Sequence, residues 1–198
     1  IIWTPTPIAT LPPNQALLEV SNLLSNYPDG CQLPCFWRVI PGQTSWSDAS
    51  NALHYFSVRE YVSGDDVFLA QYYYTLANED WPLEIRLYVR DEMVEAIKTK
   101  NINSVLYSLS NTLNAYGAPD QVWIMTFKSA SYATDNTVPF MVFLLYSQSQ
   151  FIVSYELIDG IVSNEHITGC ISDVPSIYIW SSQELIEFQE ILAYFSVY

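Results

Sequence analysis

The chain has 198 residues, half of them apolar and 15% aromatic, with a net charge of −14 from 21 acidic and 7 basic residues. That length suits one large domain or two small ones, and the composition excludes a disordered chain, which is poor in aromatics and dense in charge. The charge also excludes a surface built to grip phosphates: Arg38, Arg59, Arg86, Arg90, Lys98, Lys100 and Lys128 are scattered along the sequence, whereas nucleic acids and anionic membranes require clustered cations.

Thr4-Pro5-Thr6-Pro7 and Pro12-Pro13 open the chain. Their rings fix φ and remove backbone donors, so residues 1–13 are expected to form an extended tether and residues 14–198 one compact domain. The chain begins at Ile1 and carries no charged and apolar leader of its own, so a leader is expected to have been removed, with a lipid anchor as one form of attachment upstream. The longest apolar run, Phe140–Tyr146, is seven residues, against the roughly 20 that span a bilayer as a helix. No transmembrane segment is expected.

Within Asn14–Tyr27, residues Leu17, Val20, Leu24 and Tyr27 recur at helical spacing until Pro28-Asp29-Gly30 stops them, which predicts a first helix. After a cysteine-containing loop, Pro41-Gly42 turns the chain, Thr44 or Ser45 can cap, and Trp46, Ala49, Leu53 and Phe56 mark a second helix. Val67–Leu76 is dense in aromatic and apolar residues, Leu83–Val89 alternates apolar with polar, and Met93–Thr99 follows the polar break Arg90-Asp91-Glu92. Period two is that of a half-buried strand, so these three segments predict an antiparallel meander.

The pattern then restarts. Asn103 is the expected cap of a helix bearing Val105, Leu106, Leu109 and Leu113, ended by Gly117 and Pro119. Strands are expected at Gln121–Phe127, Pro139–Tyr146 and Gln150–Leu157, with Asp159-Gly160 turning into a fourth at Ile161–Thr168. The fold class is therefore α+β: two tandem helix-plus-antiparallel-sheet repeats, at about 40–100 and about 101–169, with helices at the N- and C-termini. Tyr88–Thr99 aligns locally with Glu156–Thr168 across the repeats. Residues 170–198 form an appendage: a strand at Ser176–Trp180, then a capping box Ser181–Glu184 opening a helix with Leu185, Phe188, Leu192 and Phe195 inward, packed back on the core. No glycine-rich linker divides the chain, so the two copies should share one sheet or pack closely.

Cys31, Cys35 and Cys170 are the three cysteines. The spacing does not suit zinc, because there is no second cysteine pair and His54 and His166 lack ligand spacing. A structural disulfide is expected, joining the Cys31/Cys35 loop to Cys170 and so closing a long loop, with the identity of the leftover cysteine open. The segment Leu33-Pro34-Cys35-Phe36-Trp37-Arg38-Val39-Ile40-Pro41-Gly42-Gln43-Thr44 resembles the C-x-L-P-C-W-x-G-I-x-P-G-x-T signature of a family of uncharacterised bacterial exported lipoproteins. Tyr116–Trp123, Cys170 and Ile177–Trp180 are similar to that group too, while Arg38 stands where the signature has glycine. At fold level the order of motifs is similar to the helix-plus-sheet units of the β-lactamase-inhibitor protein and of small outer-membrane-assembly lipoproteins. That resemblance implies an exported binding scaffold without catalysis, and it carries no functional residue onto this chain.

No phosphate-binding glycine loop, nucleophile elbow or paired-histidine metal motif occurs. Asp65-Asp66 and Asp135-Asn136 lack the ligand spacing of a calcium loop and read as turns. No catalytic residue, metal or cofactor is expected. The aromatic load is what calls for a role: Tyr72-Tyr73-Tyr74 in one strand must point to both sheet faces, and with Tyr88 and Trp123 they form the candidate recognition surface, since exposed aromatic rings make rigid contact surfaces. The expected function is a non-catalytic, extracytoplasmic protein-binding or assembly module at the cell surface or in the periplasm, with a protein partner or self-assembly favoured, a glycan as the other ligand, and no nucleic acid. The alternatives are a structural subunit of an extracellular or membrane-attached assembly and, third, a hydrolase without a recognisable motif.

Overall fold

The computed structural model describes residues 11–55, 59–64, 67–74, 82–126, 140–157, 161–163, 166–168 and 175–181. Chain order runs α1 (Pro13–Ser25), α2 (Trp46–His54), β1 (Arg59–Gly64), β2 (Val67–Tyr74), β3 (Leu83–Arg90), β4 (Met93–Lys100), α3 (Leu109–Tyr116), β5 (Gln121–Thr126), β6 (Phe140–Tyr146), β7 (Phe151–Leu157), β8 (Ile161–Ser163), β9 (His166–Thr168) and β10 (Ser176–Trp180). The fold is α+β. Eight strands form one antiparallel sheet in the order β1-β2-β3-β4-β10-β7-β6-β5, and β8 and β9 pair separately with each other.

That order identifies the repeats. Strands β1 to β4 form one four-stranded meander preceded by α2, and β5, β6, β7 and β10 form a second preceded by α3; the two join edge to edge where Ile179 of β10 sits opposite Ile97 of β4. The fourth strand of the second unit is thus Ser176–Trp180, expected as part of an appendage, and not Ile161–Thr168, which forms the β8–β9 hairpin inside the connection from β7. The local match between Tyr88–Thr99 and Glu156–Thr168 consequently does not align equivalent strands. Ile177 and Ile179 are fully buried at the seam, so burial on both flanks selects β10 for the centre. The C-terminal helix expected from Ser181 onward, Cys170, and the turns at Asp65-Asp66, Asp135-Asn136 and Asp159-Gly160 lie outside the described residues, apart from Ser181 itself.

One sheet face carries the main core. Tyr72, Tyr74, Leu83, Ile85, Leu87, Val89, Ile97, Ile177, Ile179, Phe151, Val153, Tyr155, Leu144 and Tyr146 pack there against Val20 and Leu24 of α1, Ala49 and Leu53 of α2, and Leu109 and Tyr116 of α3. Three of the tyrosines fasten this layer: the rings of Tyr74, Tyr146 and Tyr155 fill the core while their hydroxyls reach helix-side partners. Tyr74 donates to the Leu53 carbonyl (3.2 Å), Tyr146 to that of Gly117 (3.0 Å), and Tyr155 to that of Tyr107 (2.9 Å), while the backbone N–H of Leu33 donates to the Tyr116 hydroxyl (2.9 Å). A ring with a polar tip suits a boundary between apolar sheet and helix termini that leave carbonyls unsatisfied.

Local signals explain the helix starts. The Ser45 hydroxyl caps α2 by accepting the Asp48 N–H (3.1 Å), and Ser108 caps α3 by accepting the Asn111 N–H (3.4 Å). Asn103 is not the cap: the chain first makes a 3-10 turn at Val105–Tyr107, capped by Ser104, before α3 begins. This rotates the helix relative to the expected stripe, leaving Val105 68% and Leu113 37% exposed while Thr112 and Tyr107 are buried. At the other end of the chain, Pro13 is the first residue of α1, where its missing N–H costs nothing, and the Leu11 N–H bonds the Tyr55 carbonyl (2.9 Å), so residues 11–13 belong to the folded body and not to a tether.

The disulfide joins Cys31 to Cys35, which corrects the expected link to Cys170. The intervening Gln32-Leu33-Pro34 contains a cis Leu33–Pro34 peptide, and a reverse turn brings the Cys35 N–H to the Gln32 carbonyl (2.8 Å). Closing so short a loop restricts the unfolded chain by about 2 kcal/mol, less than half of what a loop of 100 residues or more would give.

Candidate functional site

The signature-like segment that follows the disulfide has a structural task. Phe36 and Val39 exchange both backbone hydrogen bonds (2.9 Å each) across Trp37 and Arg38, whose φ values are +50° and +70°. This is a two-residue turn of the kind that favours glycine. Ile40–Thr44 then wraps the end of the sheet: the Gly42 N–H donates to the Val94 carbonyl (2.7 Å), Val94 N–H to the Thr44 carbonyl (3.1 Å), and Ile40 N–H to the Thr44 hydroxyl (2.8 Å). Gly42 has φ +75°, and a Cβ there would lie 2.8 Å from the Ser181 Cβ at the end of β10. The segment is a clasp that ties the start of α2 to both central strands. Gly42→Ala is expected to lower stability by about 2–3 kcal/mol through left-handed strain plus that contact, and Arg38→Gly to raise it by about 1 kcal/mol, because the exposed Arg38–Asp29 pair (2.6 Å) contributes little. Urea unfolding of the two variants checks both signs.

The sheet face opposite the helices holds the candidate recognition surface. Tyr72 and Tyr74 are not part of it: both are fully buried in the main core. Tyr73 points the other way, and the register places it opposite Glu84, with Tyr88 opposite Ala96 and Trp123 opposite Phe143. Tyr73, Tyr88 and Trp123 are therefore half-buried residues on one face. They do not form one patch: five strand spacings separate β3 from β5, about 24 Å at about 4.8 Å each.

Between them the face changes character. Toward β5 it is apolar, with Ala96, Phe143, Leu145, Ile152, Tyr178 and Trp180 buried together, Tyr178 stacked on Trp180 (5.8 Å between centroids), and Met125 and Met141 at its margin. Toward β2 it is polar. Arg86 of β3 lies opposite Lys98 of β4, Glu84 opposite Lys100, Glu84 accepts from Arg86, and Gln71 donates to Glu84 (3.4 Å). Three of the seven basic residues in an acidic chain thus meet on adjacent strands. Sequence alone left this cluster unread, because Arg86 and Lys98 become neighbours only through strand register.

Lys98 is 4% exposed. Burial above all, then the charges of Lys100 and Arg86, with Glu84 opposing, together push its ammonium down to about 8. An amine with a folded-state pKa below its unfolded value binds fewer protons when folded, so stability is lowest below pH 8 and rises as pH climbs from about 8 toward 10.5. Burial raises the Tyr107 and Tyr116 hydroxyls, which removes stability only above the ordinary tyrosine range near 10. The window for Lys98 is therefore pH 8–10. Lys98→Met is expected to flatten the rise there and to add on the order of 1–2 kcal/mol at pH 7, measured by urea unfolding at stepped pH.

The helix side bears a cleft of about 400 Å³ lined by Glu19, Leu23, Trp37, Arg38, Asn51, Ala52 and Tyr55. His54 ends α2 beside it in sequence. Among the described residues, no group of three or more His, Cys, Asp or Glu side chains is placed to hold a metal ion, and no helix is long and apolar enough to cross a membrane.

No family model, curated protein or solved structure matches the chain. Its function has therefore to be argued from its own surfaces.

Proposed function

We propose that this chain is a non-catalytic, exported module that binds or assembles with protein at the cell surface or in the periplasm. The observation that carries the reading is the sheet face turned away from the described helices, where Tyr73, Tyr88 and Trp123 stay partly exposed, as do Arg86 and Lys100 at its cationic margin, beside an apolar centre and a Lys98 that are themselves buried. Rigid rings with polar tips, methionines that repack, and arginine are residue types enriched in protein contact surfaces. A sheet supplies them without the mobility of loops. The acidic remainder of the chain restricts partners to surfaces that match this margin, which favours an acidic patch flanked by apolar residues.

The test uses the full chain as bait in a cross-linked envelope extract, comparing it with a Tyr73→Ser/Tyr88→Ser variant whose circular dichroism matches the parent. Loss of a captured protein by about 30-fold or more is the expected result for aromatic anchors. An identical capture profile for the two baits removes the face from consideration, and a carbohydrate array binding only the parent reassigns it to glycan recognition.

A further inference from the structure

The two ends of the eight-stranded sheet are not alike. At one end β1 carries Arg59 and Glu60 in its sequence; at the other, β5 reads Gln-Val-Trp-Ile-Met-Thr with no charged residue and no proline. Charges and proline are what sheet edges use to discourage added strands, and β5 has none of them in a chain of net charge −14. Its six residues pair in unbroken register with β6, from Gln121 opposite Leu145 to Thr126 opposite Phe140. Asp120 holds its entry, its carboxylate accepting both the N–H (2.7 Å) and the hydroxyl (2.6 Å) of Ser147. Among the described residues, no strand pairs with β5 on the side away from β6.

The side chains of this edge are as informative as its backbone. Val122 and Ile124 lie on the helix-bearing face but beyond the cover of the helices, 55% and 58% exposed. Trp123 lies on the opposite face, its indole N–H donating to the Gln121 side chain (2.8 Å).

We infer that β5 pairs antiparallel with β5 of a second copy of the chain, about a two-fold axis perpendicular to the sheet that passes midway between the two copies of Trp123, making one sixteen-stranded sheet from two eight-stranded ones. A register centred on residue 123 suits a second copy. In an antiparallel pair, directly opposite residues share a face, so this register sets Val122 opposite Ile124 of the other copy, Ile124 opposite Val122, and Trp123 opposite Trp123. Every exposed apolar side chain of the edge meets another, and the contact is the same on both copies, as a closed two-fold dimer requires. A different partner would need the same small pattern of apolar residues, which this strand already contains. The charge of each copy opposes association generally, and an uncharged edge is where that repulsion is weakest.

This association is independent of the binding reading above, which uses the sheet face and would stand if the chain were a monomer. Sedimentation velocity of the full chain at 1–500 µM and 150 mM salt is expected to show a monomer–dimer equilibrium with half-association at roughly 1–100 µM, the range of a small interface. Ile124→Lys and Val122→Lys should each weaken it by about 30-fold or more while leaving circular dichroism and the melting temperature unchanged, since both positions are exposed in the monomer. Val62→Lys, at the 53% exposed position on the opposite edge strand, should leave it within about two-fold. A parent that stays monomeric at 500 µM overturns the inference, as does a dimer that survives Ile124→Lys and Val122→Lys or dissolves equally with Val62→Lys.

Discussion

Ile179→Asp is expected to cost about 5 kcal/mol or more and to leave the chain largely unfolded at 25 °C. Ile179 is fully buried, with Ile97 of β4 on one side and Phe151 of β7 on the other. Removing its side chain forfeits about 2–3 kcal/mol of burial, and an unpaired carboxylate in that position adds several more through desolvation. Together these approach the whole stability of a typical domain. The strand is also the only described link between the two meanders in the sheet, so its loss separates the halves instead of loosening one of them. Ile124→Asp provides the control: the same replacement in the same sheet, at a position 58% exposed, should change stability by less than about 1 kcal/mol. Urea unfolding followed by tryptophan fluorescence distinguishes them, and similar midpoints for the two variants would show that β10 is not central.

Tyr155→Ala is the second large effect, at about 3–5 kcal/mol. Its ring is fully buried on the main core face, and its hydroxyl lies 2.9 Å from the Tyr107 carbonyl and 2.8 Å from the Thr112 hydroxyl, both on the 3-10 turn and helix of the second unit. Tyr155→Phe keeps the packing and removes both bonds, leaving the Thr112 hydroxyl and the Tyr107 carbonyl only their mutual 3.4 Å contact, which should cost about 1–2 kcal/mol. Tyr155→Phe combined with Thr112→Val should cost less than the sum of the single changes by about 0.5–1 kcal/mol, because the two hydroxyls share one interaction. Tyr73→Phe, on the other face, should be near neutral. Equal losses for Tyr73→Phe and Tyr155→Phe would contradict the division of tyrosines into fastening and surface groups.

That division shows where sequence reading stops. Alternation in Leu83–Val89 placed β3 on a half-buried sheet, and the Tyr72-Tyr73-Tyr74 run implied rings on both faces, but alternation does not name the covered face. The three helices settle it by packing on the side of Tyr72 and Tyr74. Strand β1 escaped notice because Arg-Glu-Tyr-Val-Ser-Gly lacks apolar alternation; it exists by pairing with β2 from Arg59–Tyr73 to Gly64–Phe68. The α3 region misled because Val105 and Leu113 carry helical spacing while Ser104 and Ser108 provide two successive caps, and capping, not hydrophobic spacing, fixed where the helix begins. The cysteines misled on grounds of loop entropy, which favours a long closure, whereas the folded loop places Cys31 and Cys35 against each other. The candidate surface was legible as residue types and only partly as positions: Tyr73, Tyr88 and Trp123 share a face, but the cluster of Arg86, Lys98 and Lys100 depends on register.

The sequence by itself determined the α+β class, the breaks at Pro28–Gly30, Pro41-Gly42 and Arg90–Glu92, most described element boundaries within two or three residues, and the presence of two related units, because these follow from side-chain periodicity and short-range capping within a few residues of chain. Only the tertiary structure decided that the last described strand lies at the centre, which tyrosines face the core, which cysteines meet, and which of the described strands end the sheet. Each of those outcomes depends on residues far apart in sequence competing for the same buried space, and that competition is resolved by packing among all the elements at once and not by any one segment's own preference.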